Sequence, residues 1–152
     1  MTPRWPATAW ESPGFLLWHA TLRWQREVRA ALRPLGLTHV QFVLLAGAWW
    51  LGRDGDTPSQ RELATHAGTN IMMTSQVVRA LADLGLVEHG TDPADARVRR
   101  VGATSKGAEL AHRAIEVVDA VDERYFRAVA DRSTLISTLR ELAGRDDLGG
   151  PR

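Results

Sequence analysis

The chain has 152 residues, 44% of them hydrophobic, which suits one soluble domain and is too short for a multidomain enzyme. Cysteine is absent, so disulfides, thiolate metal sites and a cysteine nucleophile are excluded. Basic residues number 19 against 18 acidic, a net charge of +1 that does not by itself point to nucleic acid. No apolar run approaches the ~18 residues of a membrane span, and the first residues lack a signal peptide's apolar stretch, so a soluble, cytoplasmic protein with no membrane contact is expected.

Pro3, Pro6 and Pro13 punctuate the start of the chain, and residues 1–12 read as an extended arm. Ser12 followed by Pro13 opens a first long helix carrying Leu17, Ala20, Trp24, Val28, Ala31 and Leu35 at helical spacing. Thr38 and Gln41 form a capping box for a second helix ending near Gly52, with Phe42, Leu45, Ala48 and Trp49 as its expected buried stripe and Trp50 off it. Ser59 and Glu62 form another box, starting a short helix through about His66. After Gly68, Asn70 caps a helix running to Leu84, with Met73, Val77, Leu81 and Leu84 on one face and Gly85 as its terminator.

Two short helices joined by a glycine-containing turn outline a helix-turn-helix. Strand signals at Leu86 and Val87, the turn-rich GTDPADAR, and Val98 and Val101 predict a β-hairpin with a charged tip. Ser105 is the expected cap of a long helix carrying Leu110, Ala114, Val117, Val118, Val121 and Phe126. A short helix from Ser133 to Ala143 follows, then a frayed tail over 145–152. The expected fold class is mainly α with one small β-hairpin.

The stretch from Ser59 to Gly107 resembles the winged helix-turn-helix of the MarR family of bacterial transcription regulators. The likeness rests on the phrase Gly85-Leu86-Val87-Glu88, a wing opening with Asp92-Pro93 and containing Asp95-x-Arg97, and Thr104 with Gly107 three residues later. Leu37, Thr38, Gln41 and Phe42 match the family's second-helix opening. Ala96 stands where members often carry a first Arg, and Gln76 where many carry Arg or Lys. The resemblance implies a winged helix-turn-helix region over 37–104, flanked by N- and C-terminal dimerisation helices over 13–36 and 105–144. It further implies a homodimer on a pseudo-palindromic double-stranded DNA operator, acting as a repressor and released by a small aromatic or phenolic effector.

Residues 72, 75, 76 and 79 share a helical face, which places Met72, Ser75, Gln76 and Arg79 together. Gln pairs bidentately with adenine, Arg with guanine or phosphate, and an apolar tip meets a thymine methyl. The competing account is a solvated face on a core helix. Arg97, Arg99 and Arg100 gather at the hairpin, and alternation puts Arg97 and Arg99 on one side and Arg100 on the other. Arg97, tied to Asp95 in the family motif, is the expected minor-groove residue and Arg99 a phosphate contact. Ser59, Asn70 and Thr74 offer further donors for phosphate at helix starts. A charged hairpin protecting its own edge is the alternative.

The first and last helices carry long apolar stripes with no other domain to bury them, which favours pairing of two copies. Trp18, His19 and Arg23 on the first helix and Trp49 and Trp50 on the second form an aromatic and cationic set suited to a flat anionic effector, with core packing as the alternative. Glu109 and His112 have a metal-compatible spacing without a denser cluster, so a metal-responsive regulator ranks behind, as does an interaction module without DNA binding. No catalytic constellation stands out, and no cofactor is implied.

Overall fold

The computed structural model describes residues 9–144; the rest of the expected arm and the tail over 145–152 lie outside the described residues. Ala9–Glu11, expected to be extended, form a 3-10 turn in which Trp10 packs edge-on against Phe15 at 5.4 Å. Six α-helices and a two-stranded hairpin follow among the described residues: α1 Pro13–Leu32, α2 His39–Gly52, α3 Gln60–Ala67, α4 Ile71–Asp83, β1 Val87–Thr91, β2 Arg99–Ala103, α5 Ser105–Tyr125 and α6 Arg132–Leu142. No single one of these helices is long and apolar enough to cross a membrane.

The helix starts follow their caps. The Ser12 hydroxyl accepts from Phe15 N–H, and both Thr38–Gln41 and Ser59–Glu62 form complete capping boxes. Asn70 caps α4 through Met73 N–H. For α5 the cap is Thr104, one residue before the expected Ser105: its hydroxyl accepts from Gly107 N–H at 3.0 Å and donates to the Gly85 carbonyl at 2.7 Å. A threonine here closes the wing and opens α5 with one side chain.

The core forms around α2, which packs against α1, α3, α4 and α5. Of the expected stripe, Leu45 and Ala48 are buried and Phe42 and Trp49 are half-buried against the same core, while Leu44 is buried on another side of the helix. A helix covered on several sides has no single apolar face for periodicity to find. On α1 the core begins late: Val28 and Leu32 are fully buried, but Leu17 is 55% exposed and Trp18 62%. On α6, Ile136, Leu139 and Leu142 are likewise exposed. These two helices carry uncovered apolar surface in a single chain.

Candidate nucleic-acid interface

The turn between α3 and α4 is tight because Gly68 adopts φ +71°, a left-handed conformation that costs glycine little. Beneath it the Thr74 hydroxyl donates to the Asn70 carbonyl at 2.8 Å, so the 2.7 Å contact between Thr69 and Thr74 hydroxyls has Thr69 as donor. Thr74 is fully buried. The expectation that it faces phosphate is therefore corrected: its hydroxyl fixes the turn from inside. The buried side of α4 is Thr74, Val78 and Leu81, while Met73 and Leu84, expected in the core, are exposed. The true face is rotated by about one residue because Thr, satisfied by its neighbours, takes a core position that a hydrophobicity pattern assigns to Met.

The outward face of α4 presents Met72, 75% exposed, with Gln76 and Arg79. Ser75 is half-buried, and its hydroxyl accepts from the Arg79 guanidinium at 3.2 Å. The structure thus brings the four predicted residues onto one side, and adds Ile71 and Met73, both exposed, which the stripe had hidden. Asn70 is exposed with its Oδ1 engaged by Met73 N–H at 2.7 Å. Ser59 accepts from Glu62 N–H at 3.1 Å, and its own N–H, followed by its hydroxyl, holds the Glu62 carboxyl below its ordinary value.

The wing is an antiparallel pair in register Val87↔Ala103 through Thr91↔Arg99. At its tip the Asp95 carboxylate accepts from Arg97 N–H at 3.0 Å, from Nε at 3.1 Å and from Nη2 at 3.3 Å. The Arg97 guanidinium, then its N–H, hold Asp95 below the ordinary carboxylate range. The Arg97 side chain is nevertheless 90% exposed, a cation on a short tether at the end of the wing. Arg99 lies against His89 Nδ1 at 3.1 Å, so that nitrogen is the acceptor. Arg100, on the opposite strand face, turns inward to Asp92, Thr57 and Glu62. The three wing arginines therefore have three different situations.

The aromatic set does not assemble within one protomer. His19 stacks with Trp10 and Phe15, Trp18 lines an open groove along α1, and Arg23 pairs with Glu27. Trp49 meets the His112 ring at 4.4 Å, and Trp50 is capped by the Arg53 guanidinium 3.8 Å above its ring. His112 is thus an aromatic partner here, and no group of three His, Asp or Glu residues converges among the described residues.

No family model matches the chain. An uncharacterized HTH-type transcriptional regulator of Bacillus subtilis, YdcH, is 43% identical over 131 residues, covering 86% of this chain and 89% of that protein. The HTH-type transcriptional repressor Rv2887 of Mycobacterium tuberculosis is 34% identical over 134 residues, covering 88% of this chain and 94% of its own. The solved structure of Rv2887, described as a MarR family protein in complex with p-aminosalicylic acid, superposes with TM-score 0.64 over 88% of this chain and 98% of its own, at 32% identity. The chain belongs to the MarR family. A further structural relative of this MarR-family regulator is CouR of Rhodococcus jostii, solved with p-coumaroyl-CoA (TM-score 0.80, 27% identity, 97% of this chain and 100% of that one) and, as a repressor, on a 23-mer DNA duplex (TM-score 0.75, 25% identity, 94% and 98%).

In this MarR-family chain the Thr104-x-x-Gly107 signature is architectural. Thr104 N–H donates to the Leu86 carbonyl at 3.1 Å, and a side chain at Gly107 would overlap that same carbonyl oxygen. Sequence inspection also missed the inward role of Arg100. Its only advance signal was strand alternation, which set it on the other face from Arg99.

Proposed function

We propose that this MarR-family regulator binds double-stranded DNA as a homodimer, with Met72, Ser75, Gln76 and Arg79 at base edges in the major groove. In this reading Arg97 enters the neighbouring minor groove, and Arg99, Ser59 and Asn70 face phosphate. The observation that carries it is the joint exposure of the outward face of α4 and of Arg97 at the wing tip. CouR on its duplex supports the DNA target, and the name of Rv2887 supports repression. Such a protein acts where the chromosome is, in the cytoplasm, and carries out no catalysis.

The uncovered side chains of α1 and α6, including Leu16, Leu17, Leu22, Leu139 and Leu142, form the proposed pairing surface between copies. Two copies place their α4 helices in successive major grooves, roughly 34 Å apart. We assign the effector to small aromatic acids, on the support of the Rv2887 complexes with p-aminosalicylic and salicylic acid. Trp18, His19 and Arg23, separated from Trp49 and Trp50 within one chain, form an effector site in this proposal only with the second copy.

Fluorescence anisotropy on a labelled duplex from the chain's own upstream DNA tests this. Two chains per duplex are expected, with affinity falling steeply as salt rises and Arg97→Ala weakening it roughly tenfold. Salicylate should quench tryptophan fluorescence and release the duplex. Absence of binding even at low salt would instead mark an interaction module.

A further inference from the structure

Arg100 stands at the junction of three segments. Its Nε donates to Asp92 Oδ2 at 2.7 Å, at the base of the wing turn. Its Nη1 donates to the Thr57 carbonyl at 3.1 Å, in the α2–α3 loop, and lies 3.7 Å from Glu62 Oε2, in the first turn of α3. The backbone adds to the same joint: Arg100 forms a β-bridge with Ser59, and Val101 N–H donates to the Pro58 carbonyl at 3.0 Å. Glu62 is at the same time the reciprocal partner of Ser59 in the α3 capping box.

We propose that Arg100 is a positioning residue for DNA binding, holding the wing at a set angle to the helix-turn-helix so that Arg97 and the face of α4 meet the duplex together. The proposal rests on the DNA-binding reading above. A planar guanidinium with several fixed donors can hold a carboxylate, a carbonyl and a second carboxylate at once, which an ammonium on a flexible stem does not. Asp92 also holds Ala94 N–H at 2.7 Å, so the wing turn itself is built on the carboxylate that Arg100 anchors. Two carboxylates beside Arg100 more than offset its charge, whereas Arg97 pairs with one and projects into solvent. Among the arginines of the wing, Arg100 is thus the one whose geometry is directed into the protein.

The test is a set of anisotropy titrations on the same labelled duplex, with folding of each variant checked by circular dichroism. Asp92→Asn decides most. A carboxylate is repelled by phosphate, so if Arg100 were a direct DNA contact, releasing it from Asp92 would leave affinity unchanged or tighten it. As a positioning device, Asp92→Asn weakens binding roughly fivefold or more, and Arg100→Ala and Arg100→Lys weaken it similarly. Combining Arg100→Ala with Arg97→Ala should cost little beyond the larger single loss, because both remove the same wing contact. Unchanged or tighter binding by Asp92→Asn, full activity of Arg100→Lys, or additive losses in the double variant would overturn the proposal. Wild-type protein that fails to bind DNA at low salt would overturn the underlying DNA-binding reading, and this proposal with it.

Discussion

Trp24 Nε1 donates to Asp122 Oδ1 at 2.7 Å, joining α1 to α5 across 98 residues of sequence. The His39 ring meets the same indole edge-on at 5.3 Å, so the start of α2 is fixed at this point too. Replacing Trp24 with Phe keeps much of the apolar contact and leaves Asp122 without its donor. The expected cost is about 1 kcal/mol, or roughly 2 to 4 °C in thermal unfolding, with Asp122→Asn losing less because the acceptor oxygen remains. An unchanged melting temperature for Trp24→Phe would show that the bond adds nothing net.

Among the described glycines, Gly107 has the least room for a side chain. A Cβ there would meet the carbonyl of Leu86, which is backbone and cannot rotate aside. Gly107→Ala should therefore destabilise by at least about 2 kcal/mol, more than a typical exposed helix substitution. Denaturant unfolding checks this, with Ala108→Gly, one residue on in the same helix, as a comparison expected to cost only about 1 kcal/mol.

Thr74 separates turn architecture from DNA contact. Thr74→Val keeps the shape but removes the hydroxyl that accepts from Thr69 and adds a second donor to the Asn70 carbonyl. A loss of about 1 to 2 kcal/mol in stability is expected. At a temperature where the variant is fully folded, duplex affinity measured by anisotropy should stay within a factor of about two, since less than ~0.4 kcal/mol of binding is at stake. A large affinity loss in folded protein would return Thr74 to the DNA-contacting set.

Burial, and next the Arg29 charge, push the His39 imidazole below its ordinary value of 6.5, with Asp122 pulling the other way. Because the folded state holds this proton less tightly than the unfolded state, the associated stability is present above the unfolded value of 6.5 and is lost as pH falls toward the depressed folded value. Thermal melts from about pH 7.5 down to about pH 5.5 should show a falling midpoint, and His39→Gln should flatten that fall. Equal slopes for both proteins would remove His39 as the cause.

The parts legible in the sequence were those set by local rules. The Ser12, Thr38, Ser59 and Asn70 caps are built from a side chain and a backbone N–H three residues on, so four helix starts follow from residues near in sequence. The Asp95–Arg97 pair is equally local. One misreading was local as well. On α4, Met73 and Thr74 exchange the places that periodicity assigned them, because the turn after Gly68 supplies Thr74 with hydrogen bonds that a polarity scale does not see.

Read alone, the sequence yields a helix-turn-helix followed by a charged hairpin, with Met72, Ser75, Gln76 and Arg79 on one helical face. Tertiary structure decided the surroundings of the three wing arginines. Arg97 stays exposed on its Asp95 tether, Arg99 rests against His89, and Arg100 is drawn inward by Asp92, Glu62 and the Thr57 carbonyl. The difference is one of range: a cap or a turn pair is settled within a few residues, whereas the partner of a long guanidinium depends on which carboxylates and carbonyls folding brings within about 3 Å of it.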